Sequence, residues 1–181
     1  MQDLAGANFN LGTAIPLRGR GSPFHSLDAM HLRAVAFHDE SRCQEIESFL
    51  ADRIYEFNVE ATGYVDGRLL AGTIQDDTGE IIAGINGHTW GGCCVIAHVW
   101  VHERLRGQGL GRALMHAAES EAVHRGCEQF VPITHSFQAP EFYEHFGYER
   151  KFAIEGRPKG YADIVYVKRL KSRRENGSPM G

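Results

Sequence analysis

Apolar and polar positions recur with different periods along the chain, and each change of period marks an element. Between residues 41 and 60, Ile46, Phe49, Leu50, Ile54 and Phe57 return at three- and four-residue spacing, which predicts an amphipathic helix with Ser41 as candidate N-cap and Gly63 past its end. Residues 31–37 read as a strand ahead of it, with Leu32, Ala34 and Ala36 on one face and Arg33, Val35 and Phe37 on the other. Three further runs, residues 68–75, 80–90 and 93–101, are separated by Asp76-Asp77-Thr78-Gly79 and by Gly91-Gly92. Those separators are hairpin chemistry, so an antiparallel meander is expected. The third run, CCVIAHVWV, is rich in β-branched and aromatic residues and reads as a mostly buried strand. After a polar step and a glycine-rich turn, Leu110, Leu114, Ala117, Ala118 and Ala122 restore helical spacing up to Gly126. Residues 129–134 follow as a strand, 139–146 as a short helix, and 148–154 and 161–170 as two last strands. The order β-α-β-β-β-α-β-α-β-β predicts an α/β domain without internal repeats.

Residues 93–101, the helix after them and residues 129–134 form a β-α-β crossover, so these two strands should run parallel. Pro132 lies in the second, where it cannot donate to a ladder; an unpaired edge, a gap or a bulge is expected there.

Composition adds bounds. With 181 residues, 43% of them hydrophobic and 23% charged, the chain has enough apolar material for one soluble domain. Boundaries at 1–28 for a Gly- and Pro-containing N-terminal arm, 29–170 for the domain and 171–181 for a basic tail follow from where periodicity begins and ends. The net charge of -4 leaves no footprint for nucleic acid, and the local run Lys168, Arg169, Lys171, Arg173 and Arg174 reads as a solvated tail. The four cysteines contain no C-x-x-C pair, and no metal-ligand spacing links them to the ten histidines. A reduced, cytoplasmic chain without a metal is therefore expected. No stretch has the length of a membrane span or the layout of a signal peptide.

The chemistry concentrates between residues 93 and 126. Gly107, Gly109 and Gly111 stand where a strand gives way to a helix, so bare backbone can approach a ligand and the unpartnered first N–H groups of the helix can bind phosphate. A Walker loop would close on Gly-Lys-Ser/Thr, whereas Gly111-Arg112-Ala113 stands here. A dinucleotide fingerprint would follow the strand directly, whereas residues 102–106 intervene. A tight turn that uses glycine for conformation alone is the remaining alternative to an anion site.

The turn has the form Arg-x-x-Gly-x-Gly from Arg106 to Gly111, with Gln108 within it. One strand later, Ala139 to Tyr148 has the form Ala-x-x-Phe-Tyr-x-x-x-Gly-Tyr. The two motifs in this order resemble those of the GNAT superfamily of CoA-dependent N-acetyltransferases, over roughly residues 30 to 170. The resemblance implies a GNAT fold: a mixed, mostly antiparallel twisted sheet with a splayed parallel strand pair and flanking helices, the CoA arm filling the splay. It implies acetyl-CoA as co-substrate, cradled at its diphosphate by Arg106, Gly107, Gln108, Gly109, Gly111 and Arg112. The backbone N–H groups of Val99 and Val101 would bind the thioester carbonyl and the pantetheine amide. Tyr143 matches the tyrosine that protonates the departing thiolate. Ser136 stands where the family usually carries an asparagine that bonds the CoA arm, and a hydroxyl there is shorter.

A primary amine must shed a proton before it attacks, so a base or water relay is needed. His98 is the first candidate, because it interrupts an apolar strand and titrates near neutrality; a hydrogen-bonded core histidine is the alternative. Glu56 and Glu60 on the first helix are rivals, with a solvated helix face as their plain reading, and His135 is a third. Trp90 would either pack or line the acceptor pocket. The expected acceptor is a small-molecule or protein amine. A homodimer fits the family, although no residue points to it. A non-catalytic acyl-CoA sensor of the same fold is the competing function, and nucleic-acid binding through the basic run a third.

Overall fold

A computed structural model describes residues 35–170. The arm, the tail and residues 31–34 of the expected first strand lie outside the described residues, and residues 35–37 take no regular secondary structure. The first helix, α1, spans Glu40–Thr62, two residues earlier than an N-cap at Ser41 would start it. Asp39 is its N-cap, accepting from the Arg42 N–H at 3.3 Å, while the Ser41 hydroxyl donates to the same carboxylate at 2.5 Å. Ser41 thus supports the cap rather than forming it. Gly63, at φ 75°, closes the helix by donating to the Val59 carbonyl, a left-handed position open to glycine at little steric cost. The apolar positions Phe49, Leu50, Ile54 and Phe57 remain exposed, and no side chain of α1 is fully buried among the described residues. The Tyr55 hydroxyl, which accepts from the Gly67 N–H at 3.2 Å, ties the helix to the segment that leads into the sheet.

The sheet has six strands: β1 (Arg68–Gln75), β2 (Ile81–Trp90), β3 (Cys93–Val101), β4 (Gln129–His135), β5 (Glu149–Glu155) and β6 (Ala162–Arg169), in spatial order β1-β2-β3-β4-β6-β5. All neighbours are antiparallel except β3 and β4, which the crossover through α2 (Leu110–His124) makes parallel. A short helix, α3 (Pro140–His145), leads from β4 towards β5. Leu114, Met115, Ala118 and Ala122 of α2 pack on Ile85, Cys94, Ile96 and Phe130 to form the core, with Tyr143, Tyr148 and Tyr166 closing its far end. Lys168 of β6 reaches across to Glu119 of α2 at 2.8 Å, and Arg125 after α2 donates to the Leu69 carbonyl of β1 at 2.8 Å. These two bonds fasten α2 to both halves of the sheet.

One irregularity sets the geometry of the site. Gly87 faces Ile96 while Asn86 faces His98, so Ala97 is an extra residue on β3 and the strand bulges there. Before the bulge, Cys94 and Ile96 point into the core; after it, Val99 and Val101 do, and His98 and Trp100 turn outward. Gly87 is what admits the bulge: a Cβ there would stand 2.0 Å from the Val95 carbonyl oxygen. Gly87→Ala should therefore destabilise the fold by about 1–3 kcal/mol or more in urea unfolding. Gly84→Ala, whose added Cβ meets nothing nearer than 3.6 Å, should change stability by less than about 1 kcal/mol.

Candidate active site

β3 and β4 pair only where residues 93–96 lie beside 129–132. Pro132 is the last paired position, and beyond it β4 is bonded only on its other side, to β6. The proline thus marks the point where the parallel pair parts. The open edge of β3 is defined by alternation: His102 donates its N–H to Ile82 of β2 at 2.9 Å, so Val101 and Val99 aim their N–H groups the other way, across the gap. The Val101 carbonyl on that edge accepts from Arg106 Nε at 3.2 Å, which pins the glycine turn to the end of the strand.

A single turn of 3-10 helix, Glu103–Leu105, carries the chain from β3 into that turn. Gly107 and Gly109 take φ of 76° and 87°, and a Cβ on either would meet nothing, so they are needed for their dihedrals rather than for space. Gly109 is the N-cap of α2 and brings no side chain to bond the first-turn N–H groups, which leaves them for a ligand. Gly111 differs: it sits where α2 meets α3, and a Cβ there would touch the Phe142 ring at 3.4 Å, an ordinary contact distance. Gln108 bonds back to the Arg104 carbonyl, and the Arg112 guanidinium sits 5.7 Å from the centre of the Phe146 ring. The geometry is that of an exposed anion cradle at the mouth of the gap, with an unpaired strand edge leading inward.

At the inner end, Tyr143 of α3 is buried in an aromatic nest, stacked 5.4 Å from Tyr166 and edge-on to Tyr148 and Phe142. Burial pushes its phenol up to about 12, nearby Tyr166 adds to the shift, and the Thr134 hydroxyl of β4 draws it part-way back. Thr134 in turn donates to Gln138 Oε1 at 2.9 Å, and the same oxygen accepts the His135 N–H at 3.0 Å. Ser136 is already engaged: its hydroxyl oxygen accepts from the Ala162 N–H at 3.1 Å and its own N–H donates to the Ala162 carbonyl. The Ser136 O–H remains for a ligand.

The candidate bases are not gathered together. His98 lies outward on β3 with Nδ1 3.0 Å from Asn86 Oδ1. Glu56 is exposed on α1 and pairs with Arg53 at 2.6 Å, and Glu60 is exposed on the same helix. Trp90 donates its indole N–H to the Tyr64 carbonyl at 3.2 Å and packs edge-on to that ring. His135 has a buried partner that the sequence reading passed over: Asp163 of β6, with Nδ1 and Oδ1 2.6 Å apart. A carboxylate at the head of the apolar run IVYV was the available signal. Burial holds the thiols of Cys94 and Cys127 protonated, pushed up to about 12 and about 11. Among the described residues no cluster of three or more His, Cys, Asp or Glu side chains could hold a metal, and no helix is long and apolar enough to cross a membrane.

The sequence model of the Acetyltransferase (GNAT) family matches residues 29–148. The chain belongs to the GNAT acetyltransferase family. It is 33% identical to the Acetyltransferase Atu2258 of Agrobacterium fabrum over 106 residues, 59% of this chain and 77% of that one. It is 35% identical to the Blasticidin-S acetyltransferase of Streptomyces morookaense over 95 residues, 52% of this chain and 70% of that one. The crystal structure of an acetyltransferase from Bacillus cereus superposes with a TM-score of 0.64 at 26% identity, covering 78% of this chain and all of that chain. This GNAT chain is an acetyl-CoA-dependent N-acetyltransferase.

Buried thiols cannot act as nucleophiles in the native acetyltransferase. In native protein at mild alkaline pH, a thiol reagent should label exposed Cys43 first and half-buried Cys93 more slowly. Cys94 and Cys127 should react only on unfolding, and rapid labelling of all four would contradict this arrangement.

Proposed function

We propose that this enzyme transfers an acetyl group from acetyl-CoA to a primary amine on a small molecule, by direct attack in a ternary complex. The observation that carries the reading is the parting of β3 from β4 directly beside the glycine turn, which offers the Val99 and Val101 N–H groups on an unpaired edge. A small-molecule acceptor is supported by the relative that acetylates blasticidin-S, and direct attack by the buried, protonated state of Cys94 and Cys127.

The N–H groups of the turn, with Arg106 and Arg112 nearby, hold the diphosphate; Gln108 and the three glycines shape that cradle. The Val99 N–H meets the thioester carbonyl, where negative charge develops, and the Val101 N–H meets an amide of the arm. Ser136 gives its O–H to the same arm. Tyr143 donates a hydrogen bond to the leaving sulfur. A phenol near 12 is a weaker acid than a thiol of about 8.5, so Tyr143 stabilises the thiolate without handing over its proton outright.

Acetyl-CoA at about a hundredfold excess over its Kd should add about 2.7 kcal/mol of stability and raise Tm by several degrees. No shift with any acyl-CoA would overturn the reading. Tyr143→Phe should lower kcat about 10-fold or more while the acetyl-CoA-induced Tm shift persists; unchanged turnover would remove the role given to the phenol. Since the phenol stays protonated, its loss should not alter the shape of the pH profile. Activity should climb from about pH 7 to about pH 9 in both proteins as the amine, near 10.4, is deprotonated.

A further inference from the structure

The geometry points to His135, held by Asp163 and Arg157, as the general base that receives the amine proton. This inference rests on the acetyl-transfer reading above and supplies the base that reading lacks.

His135 is the last residue of β4, three positions beyond Pro132, where β4 no longer pairs with β3. Phe130, Pro132 and Thr134 face the core, so His135 projects to the opposite face. That is also the face to which the bulge at Ala97 turns His98 and Trp100. Thr134 and His135 therefore serve the two faces of the sheet at adjacent positions. Thr134 meets Tyr143 on the face of α2 and α3, and His135 stands on the other side. A hydrogen-bond donor for sulfur and a base for the amine on opposite sides of one strand end suit a thioester lying in the gap between them.

The surroundings of the ring hold it in one working form. Nδ1 is buried and lies 2.6 Å from Asp163 Oδ1, a close contact without hydrogen-bond alignment since neither atom has a hydrogen-bond partner among the described residues, and Asp163 is itself only 6% exposed. The second carboxylate oxygen is 3.1 Å from Arg157 Nε, which fixes the orientation of the carboxylate. The imidazole stacks on Phe137 at 5.0 Å, and Phe137 abuts the Tyr161 ring edge-on. A carboxylate beside Nδ1 favours the tautomer protonated there, which leaves Nε2 to accept; among the described residues no hydrogen bond to Nε2 is formed. Asp163, Arg157 and Phe137 are positioning residues, as in the carboxylate-imidazole pairs that act as bases elsewhere.

The step balances. Nε2 takes one proton from the acceptor ammonium, the freed lone pair forms the N–C bond, and the C–S electron pair leaves on sulfur. The second amine proton passes to that sulfur, giving the amide, free thiol and a protonated His135. Nothing is oxidised or reduced.

The test compares parent, His135→Gln, Asp163→Asn and His98→Gln by thiol release over a panel of primary amines, with the acetyl-CoA-induced Tm shift recorded for each. Imidazole tautomers are read by nitrogen-15 NMR. His135→Gln should lower kcat about 100-fold or more with the Tm shift intact, and Asp163→Asn at least about 10-fold. His98→Gln should lose less than His135→Gln. In the parent, neutral His135 should carry its proton on Nδ1, and Asp163→Asn should change that signal. An active parent beside a His135→Gln variant of equal kcat, a larger loss from His98→Gln, or an Nε2-protonated His135 would overturn this base. A parent that binds acetyl-CoA and releases thiol with no amine would overturn the acyl-transfer reading and the base with it.

Discussion

The site depends on a break in backbone hydrogen bonding between two parallel strands. A buried N–H or C=O group without a partner costs about 1–3 kcal/mol, so strands in a sheet normally stay paired along their length. Here β3 and β4 pair to Ile96 and Pro132 and then part. Pro132 is the last position of β4 paired with β3, and the bulge at Ala97 swings the rest of β3 away. β2 on one side and β6 on the other keep the two strands in the sheet after they separate. The N–H groups of Val99 and Val101, left on that open edge, are the ones the proposed function assigns to the ligand.

Everything else around the gap is fastened to this break. Arg106 ties the glycine turn to the last carbonyl of β3. Gln138 gathers the Thr134 hydroxyl and the His135 N–H onto one oxygen, so the end of β4 is held in place although its β3 edge is open. The aromatic nest of Phe142, Tyr143, Tyr148 and Tyr166 supplies the dry surroundings that raise the Tyr143 phenol. Rigid support for an open edge is how a fold can keep polar groups ready without closing them off.

Much of this was legible in the sequence, for reasons that are local. The strands after α1 fall within one or two residues of their predicted bounds, because period-two runs bounded by Asp-Asp-Thr-Gly and Gly-Gly leave little choice. Pro132 announced a disturbance: its nitrogen faces β6, where residues 131 and 132 are left unpaired, and it is also the last residue paired with β3. What was not legible depends on distance along the chain. The bulge at Ala97 is visible only once Gly87 is laid against Val95, and it decides which way His98 points. Asp163 and Arg157 come to His135 from more than twenty residues away, through the pairing of β4 with β6. The exposed apolar positions of α1 show the limit of periodicity: it assigns a helix and a face, not what that face touches.

Hydrogen–deuterium exchange with and without acetyl-CoA tests the central claim most directly, because it reads the open strand edge itself. The account predicts added protection of the Val99 and Val101 amides and of residues 107–112, with little change in β1 and β5. Protection confined to other elements, or exchange at Val99 and Val101 that does not respond to acetyl-CoA, would contradict it.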